Sequence, residues 1–200
     1  MAGIRQFDEE AIFEKAMDLF WNKGFSETSL QELAAVTGIQ RGSLYNAYQS
    51  KEAFFLRVFE VHKNSLLAQM RVALDQPKLR DSIQSYFNFI INSMTIGEPA
   101  RGCLSTKVAL GSGVLDAPIR EALQNMLDEI EQIFKTRLSR SEDQADLRVP
   151  ADEAALLLLT FTRGLVVIER VYQDKVKLNM IAQLFINLLF GNATDHCTHR

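Results

Sequence analysis

An all-α fold of about nine helices is predicted by three features of this 200-residue chain. Apolar residues recur at three- and four-residue steps nearly throughout, Gly and Pro are scarce, and no hairpin signal interrupts the pattern. The order of segments predicts a small N-terminal three-helix unit with a helix-turn-helix over residues 1–49. A connecting helix over 50–77 and a larger helical domain over 78–200 complete it.

The first helix is expected to open at Asp8 as N-cap, with Phe7 and Ile12 spaced as a hydrophobic staple. Its apolar face runs Ile12, Ala16, Leu19, Phe20. Gly24 stands where a left-handed C′ residue is needed, and Phe25 can fold back on the last turn as in a Schellman motif. A second helix is expected from Thr28, with Gln31 at capping-box spacing and Leu30, Leu33 and Ala34 inward. Gly38 ends it. After Ile39, Gln40–Tyr48 reads as a short third helix, and Ser50 as the N-cap of a long one that holds Phe54, Phe55, Val58, Val61 and Leu66.

Beyond Pro77 the helices lengthen. One covers Leu79–Met94 and ends at Gly97–Pro99, a shorter segment follows over 101–110, and Gly111–Gly113 breaks the chain again. Asp116 caps a helix whose inward residues are Ile119, Leu123, Leu127, Ile130, Phe134 and Leu138. Ser139–Asp146 is a polar loop. Two apolar helices, Ala151–Tyr172 and Lys177–Phe190, close the chain before a frayed tail from Gly191. Leu156, Leu157, Leu158, Leu159 and Phe161 surround most of the first, and a helix apolar on more than one face must bury more than one.

Composition narrows the function. A 47% apolar and 24% charged chain fits a soluble globular protein. Apolar runs such as Ala154–Phe161 and Leu165–Ile168 fall short of the ~18–20 residues of a membrane span. The acidic N-terminus lacks a signal-peptide pattern, so a cytoplasmic location is expected. Cys103 and Cys197 make no disulfide framework, in agreement with a reducing compartment. The net charge of −3 is neutral on nucleic acid, so any DNA affinity must come from where charges sit. There is no Gly-rich phosphate loop, nucleophile elbow or His-Glu-x-x-His, and His62, His196 and His199 form no catalytic arrangement. No enzyme, metal site or cofactor is expected. His196-Cys197-Thr198-His199 reads as a tail without the oriented partners that a metal site needs.

Two short helices joined by a three- to four-residue turn with Gly at the bend describe a helix-turn-helix. On the second, Arg41, Gly42, Ser43 and Asn46 point outward and Leu44 inward, a face suited to a major groove. From Phe7 to Phe59 the chain closely resembles the TetR family. The resemblance is carried by Leu19-Phe20, Lys23-Gly24-Phe25, Thr28-Ser29-Leu30, Leu33-Ala34, Thr37-Gly38-Ile39, Gly42-Ser43-Leu44-Tyr45-Asn46-Ala47-Tyr48 and Ser50-Lys51-Glu52-Ala53-Phe54. Tyr48 replaces the family's usual Phe and sets a hydroxyl near the domain core.

The resemblance implies a regulator, most often a ligand-responsive repressor, that binds a palindromic operator in double-stranded DNA as a homodimer. Arg41, Gly42 and Ser43 would read bases, Thr28, Tyr45, Asn46 and Lys51 would hold phosphates, and Ser29 would also contact the DNA. Lys51 lies in the first turn of its helix, where the macrodipole disfavours a cation, and a phosphate would account for it. A helical protein-interaction module without DNA binding is the alternative, in which Tyr45 and Lys51 are ordinary surface residues.

The family pairs through its last two helices, which implicates Leu156, Leu159, Val166, Ile181, Phe185 and Leu188, although the same residues would serve an intramolecular core. It holds a small effector between the middle helices. Phe87, Phe89, Ile90, Met94, Val108, Phe134 and Phe161 could line such a site, or simply fill the core, because both use the same residue types. Cys103, between Arg101 and Lys107 and near a helix start, is of a kind with reactive thiols. Its Gly-Cys-Leu stretch is similar to a family subgroup that includes electrophile- and oxidant-responsive repressors, and the effector could be apolar or electrophilic. A buried apolar Cys is the other reading.

Overall fold

The computed structural model describes residues 9–97, 100–111, 116–140 and 147–191. Among them nine helices follow in order: α1 Glu9–Lys23, α2 Leu30–Thr37, α3 Arg41–Tyr48, α4 Lys51–Leu74, α5 Leu79–Met94, α6 Leu104–Ala109, α7 Ala117–Leu138, α8 Ala151–Tyr172 and α9 Lys175–Phe190. No strand occurs among the described residues. The expected Asp8 cap with its Phe7 staple, the break at Pro99 and the His196–His199 tail lie outside these residues. No described helix is long and apolar enough to cross a membrane.

The chain divides into two compact units, Met1–Leu66 with Cys103–Gln124, and Leu67–Gly102 with Asn125–Arg200. The expected boundaries at 49 and 77 differ from this division. The helix α6 and the first turns of α7 go with the first unit, because Leu104 and Val108 are buried and Lys107 Nζ donates to Trp21 O at the end of α1.

In the first unit an aromatic cluster forms the core. Phe20 meets Phe55 edge-on at 5.0 Å, Phe55 stacks on Phe59 at 5.6 Å, and Phe13 packs on Phe54 at 5.9 Å. Each such pair adds about 0.5–1.5 kcal/mol beyond the area it buries. Gly24, at φ +85, donates its amide to Phe20 O and lets Phe25 turn back to within 6.4 Å of Phe20. On α4 the inward residues are Phe54, Phe55, Val58, Phe59, Leu67 and Met70; Val61, expected inward, is 45% exposed, and Leu66 is half-buried.

Four helix starts differ from expectation: α3 begins at Arg41 rather than Gln40, α6 also starts later, and at α2 and α9 another side chain is the better acceptor. The N-cap of α2 is Ser29, paired with Glu32 in a capping box, one residue beyond the expected Thr28 and Gln31. The helix α6 begins at Leu104 rather than 101, with Cys103 extended as its N-cap. The helix α9 begins at Lys175 rather than Lys177, since Asp174 accepts from Lys177 N and closes the first turn. Ser50 caps α4 as expected, accepting from Ala53 N at 3.0 Å.

In the second unit α5 packs on α9, and α8 on α9. Tyr86 Oη and Thr162 Oγ1, 3.1 Å apart, link α5 to α8 through a buried hydrogen bond. Phe161 stacks on Phe185 at 4.0 Å, and Phe87 meets both edge-on. Buried Arg137 donates to Leu74 O, Gln76 O and Ser82 Oγ, so its guanidinium satisfies carbonyls at the C-terminal end of α4.

Candidate nucleic-acid interface

The helices α2 and α3 meet at the turn Gly38–Gln40. Gly38, at φ +73, closes α2 with its amide on Ala34 O, a conformation that a Cβ would penalise. Ile39 and Leu44 are buried and seat α3. One face of α3 then stands free: Arg41, Gly42, Tyr45 and Asn46 are all exposed, and their i, i+1, i+4, i+5 spacing puts them side by side. Ser43 is half-buried at its margin.

Gly42 has an ordinary backbone, since it is not among the positive-φ glycines, and a Cβ added there meets nothing within 4 Å. A helical Gly costs roughly 0.5–1 kcal/mol relative to Ala, and nothing inside the unit requires it. An outside surface that must come close to the backbone would.

The remaining expected DNA contacts fare unevenly. Tyr45, at 59% exposed, and Asn46 face outward. Ser29 is exposed but committed: its amide and hydroxyl donate to Glu32 Oε2 at 2.9 and 2.8 Å, and its Oγ accepts from Glu32 N. Lys23 donates to the other carboxylate oxygen of Glu32. The hydrogen bond from Lys23, followed by those from Ser29, lowers the Glu32 pKa from 4.5 to about 2.

Thr28 is buried instead, 2% exposed, with Oγ1 donating to Gly24 O at 2.7 Å. Its short side chain serves the end of α1. Lys51 likewise turns inward. Its Nζ donates to Phe25 O at 3.1 Å and lies 4.3 Å from the Phe25 ring centroid, so a carbonyl and a ring face account for a cation that had suggested a phosphate. Tyr48 packs its ring on Phe13 and Phe54 and donates from its hydroxyl to Glu9 Oε1 at 3.0 Å, outside the core. Burial and the Glu9 carboxylate push its pKa up to about 12.

One exposed residue escaped the sequence reading. Gln40 is the N-cap of α3, yet it makes no side-chain cap hydrogen bond, which leaves its amide beside Arg41. Gln is a poor N-cap, and that mismatch was the available signal. A Gln amide can bond an adenine edge bidentately.

Residues expected at an effector are split between the units. Cys103 and Val108 fall in the first; Phe87, Phe89, Ile90, Met94, Phe134 and Phe161 fall in the second. Phe87, Met94, Val108 and Phe134 are buried, whereas Phe89, Ile90, Cys103 and Phe161 are half-buried. Cys103 Sγ lies 3.1 Å from Ser105 Oγ, while Lys107, one of the cations expected to favour the thiolate, is directed to Trp21 O. A cavity of about 520 Å³ in the second unit lies between Arg71–Asp75 and Glu129–Arg140, and none of the expected residues lines it. Sequence reasoning also passed over Glu169, which is 1% exposed on α8 with Oε2 unbonded among the described residues. Burial pushes its pKa up, and Arg170 offsets part of the rise.

Of the residues expected at a pairing face, Leu156 (50%) and Leu188 (71%) are exposed, and Leu159 and Ile181 are half-buried. Val166 and Phe185 are buried within the unit's own core, where a partner chain could not reach them. The exposed face is completed by Leu157, Val167 and Val171 on α8, and by Val176, Met180 and Leu184 on α9.

Residues 12–58 match the family model of bacterial regulatory proteins, tetR family, and residues 80–184 match the C-terminal domain of LmrA/YxaF-like transcriptional regulators. The chain is 31% identical to the HTH-type transcriptional repressor ComR of Escherichia coli strain K12 over 142 residues, 68% of each chain. It is 26% identical to the HTH-type transcriptional regulator YezE of Bacillus subtilis strain 168 over 148 residues, 74% of this chain and 76% of YezE. Among solved structures it is similar to a cysteine mutant of the TetR family transcriptional regulator CifR complexed with 26-base-pair operator DNA. That likeness has a TM-score of 0.83 at 26% identity and covers 94% of this chain and all of CifR's.

Proposed function

From the premise that the chain belongs to the TetR family of bacterial regulatory proteins, we propose that it is a cytoplasmic, homodimeric repressor that leaves a palindromic operator when a small effector binds. It is a DNA-binding transcriptional regulator. The observation that carries the reading is the free face of α3, where Arg41, Tyr45 and Asn46 surround a glycine without an internal purpose.

In this reading α3 enters the major groove. Arg41 bonds a guanine edge, Gln40 and Ser43 bond neighbouring edges, and Gly42 admits the DNA closely. Tyr45, Asn46 and the first amides of α2 hold phosphates. Lys51 and Thr28 act indirectly, by fixing the turns on which α2 and α4 stand. One headpiece makes too few contacts for high specificity. Two, related by a two-fold axis, meet half-sites about 34–36 Å apart or a multiple of it.

The effector is expected among the second unit's aromatic and aliphatic residues, Phe87, Ile90, Met94 and Phe161, with Glu169 available to a donor group. An electrophile acting at Cys103 is the alternative trigger.

Selection of bound fragments from random DNA, followed by anisotropy titration over a salt series, tests the function. A palindrome is expected to emerge, with affinity falling as salt rises because bound phosphates release counterions. A chain that retains no fragment above background at low salt would overturn it.

A further inference from the structure

Among the described residues Glu169 is the one buried acid. It is 1% exposed, and its Oε2 has no hydrogen-bond partner. A buried carboxyl oxygen without a partner is unfavourable, and an apolar residue at this position of α8 would avoid the penalty. The rest of the inward face avoids it. Leu158, Thr162, Leu165 and Glu169 follow at helical spacing, and the polar Thr162 is fully engaged: its Oγ1 donates to Leu158 O at 2.7 Å and lies 3.1 Å from Tyr86 Oη on α5.

Glu169, two turns beyond Thr162, lies at the C-terminal end of α5. Gly102 marks the place. Its amide donates at 3.0 Å to the carbonyl of Met94, the last residue of α5, and a Cβ built on Gly102 would stand 3.8 Å from Glu169 Oε2. Two features at this spot therefore favour a cation: the carboxyl itself, and a helix end whose carbonyls carry partial negative charge. The same helix end disfavours an unpaired carboxylate. Burial pushes the Glu169 pKa up, and the neighbouring Arg170, itself exposed, offsets only part of the rise. The surroundings are apolar, with Leu165 and Val166 one turn earlier on α8 and Ile91 and Met94 in the last turn of α5, all buried.

Resting on the effector reading above, we infer that Glu169 anchors an ammonium group and that the effector is an amine with an apolar body. The charged nitrogen donates N–H bonds to the Glu169 carboxylate beside the carbonyl end of α5, and the body lies against the aliphatic side chains of α5 and α8. A metal ion fits less well, because no three His, Cys, Asp or Glu side chains cluster among the described residues.

Calorimetric titration of the full chain with three probes that share one body, phenethylamine, phenethyl alcohol and phenylacetate, tests this. The amine is expected to bind at least about tenfold tighter than the alcohol, as a charge-assisted hydrogen bond implies, and phenylacetate to give no heat. Glu169→Gln, nearly isosteric and checked for folding by circular dichroism, should erase the preference for the amine and leave the affinity for the alcohol unchanged. Equal amine affinity in the wild-type and Glu169→Gln chains would overturn the inference. So would an alcohol or an anion that binds as tightly as the amine, or an amine that gives no heat at millimolar concentration. The order of the three probes on the wild-type chain decides the matter even if Glu169→Gln does not fold. Anisotropy of the operator-bound chain, with amine added, separates the site from its role. An amine that binds through Glu169 yet leaves the DNA bound would overturn the effector reading while the amine site stands.

Discussion

Gly42 in the first unit and Gly164 in the second share one anomaly: each stands in an exposed helix, in ordinary helical conformation, with open space where a Cβ would go. Their surroundings are opposite. Around Gly42 are Arg41, Tyr45 and Asn46, which offer hydrogen-bond donors and charge; around Gly164 are Leu156, Leu157, Val167 and Val171. A polar face with a cation suits base edges and phosphates, whereas an apolar face suits another protein surface. Gly24 and Gly38 differ from both, since positive φ explains them inside the chain. Where the backbone requires a glycine, it reports a turn; where nothing requires it, its neighbours report what comes close.

The largest expected effect separates the two faces outright. Leu44, 2% exposed, is the one buried residue of α3, and Leu44→Ala should lower the stability of the first unit by about 2–5 kcal/mol. Urea unfolding would register that loss, operator binding should fall with it, and sedimentation should show self-association unchanged. Dissociation caused by Leu44→Ala would mean that the faces are not independent.

Arg41→Ala is next. Loss of a bidentate contact should cost about 1–3 kcal/mol against the preferred base at one position of each half-site. Repeating the fragment selection on the variant should relax that position alone, and an unaltered consensus would remove Arg41 from readout.

Gly42→Ala sharpens the comparison by sign. Helix propensity should stabilise the first unit by about 0.5–1 kcal/mol, while the added methyl weakens operator binding. A variant that gains stability and keeps full affinity would show that DNA does not approach the backbone there.

The smallest effect concerns the cap of α2. The folded Glu32 carboxyl stays ionised down to about pH 2, against an ordinary 4.5. Its contribution is therefore whole above pH 4.5 and lost as pH falls toward 2. The group is solvent-facing, so the effect is modest. Glu32→Gln should flatten the decline of stability between roughly pH 5 and 2.5, and parallel curves for the two proteins would remove the cap from the pH response.

Much of the exposed face of α3 was legible because its cues are local. A buried Leu44 between exposed Arg41 and Tyr45, with Gly38 four residues ahead of Gly42, is a pattern contained within one short stretch. Thr28 and Lys51 carry residue types that fit a phosphate, whereas their partners within the protein, Gly24 O and Phe25 O, are backbone atoms. A carbonyl that accepts a side chain leaves no trace in residue identity. The exposed apolar face of α8 and α9 was half legible for a related reason. In α8 the leucines at 156 to 159 surround the helix, and periodicity alone cannot say which of them a neighbour covers.

By itself the sequence determined where the helices run, where most of them stop, and which face of α3 is polar, since these depend on torsions and spacing within a few residues. Only the tertiary structure decided which polar groups are committed internally and which apolar stripe of α8 and α9 remains open. It also assigned α6 to the first unit. Those outcomes depend on contacts between segments far apart in the chain, and burial against a distant neighbour is set by the whole packing arrangement.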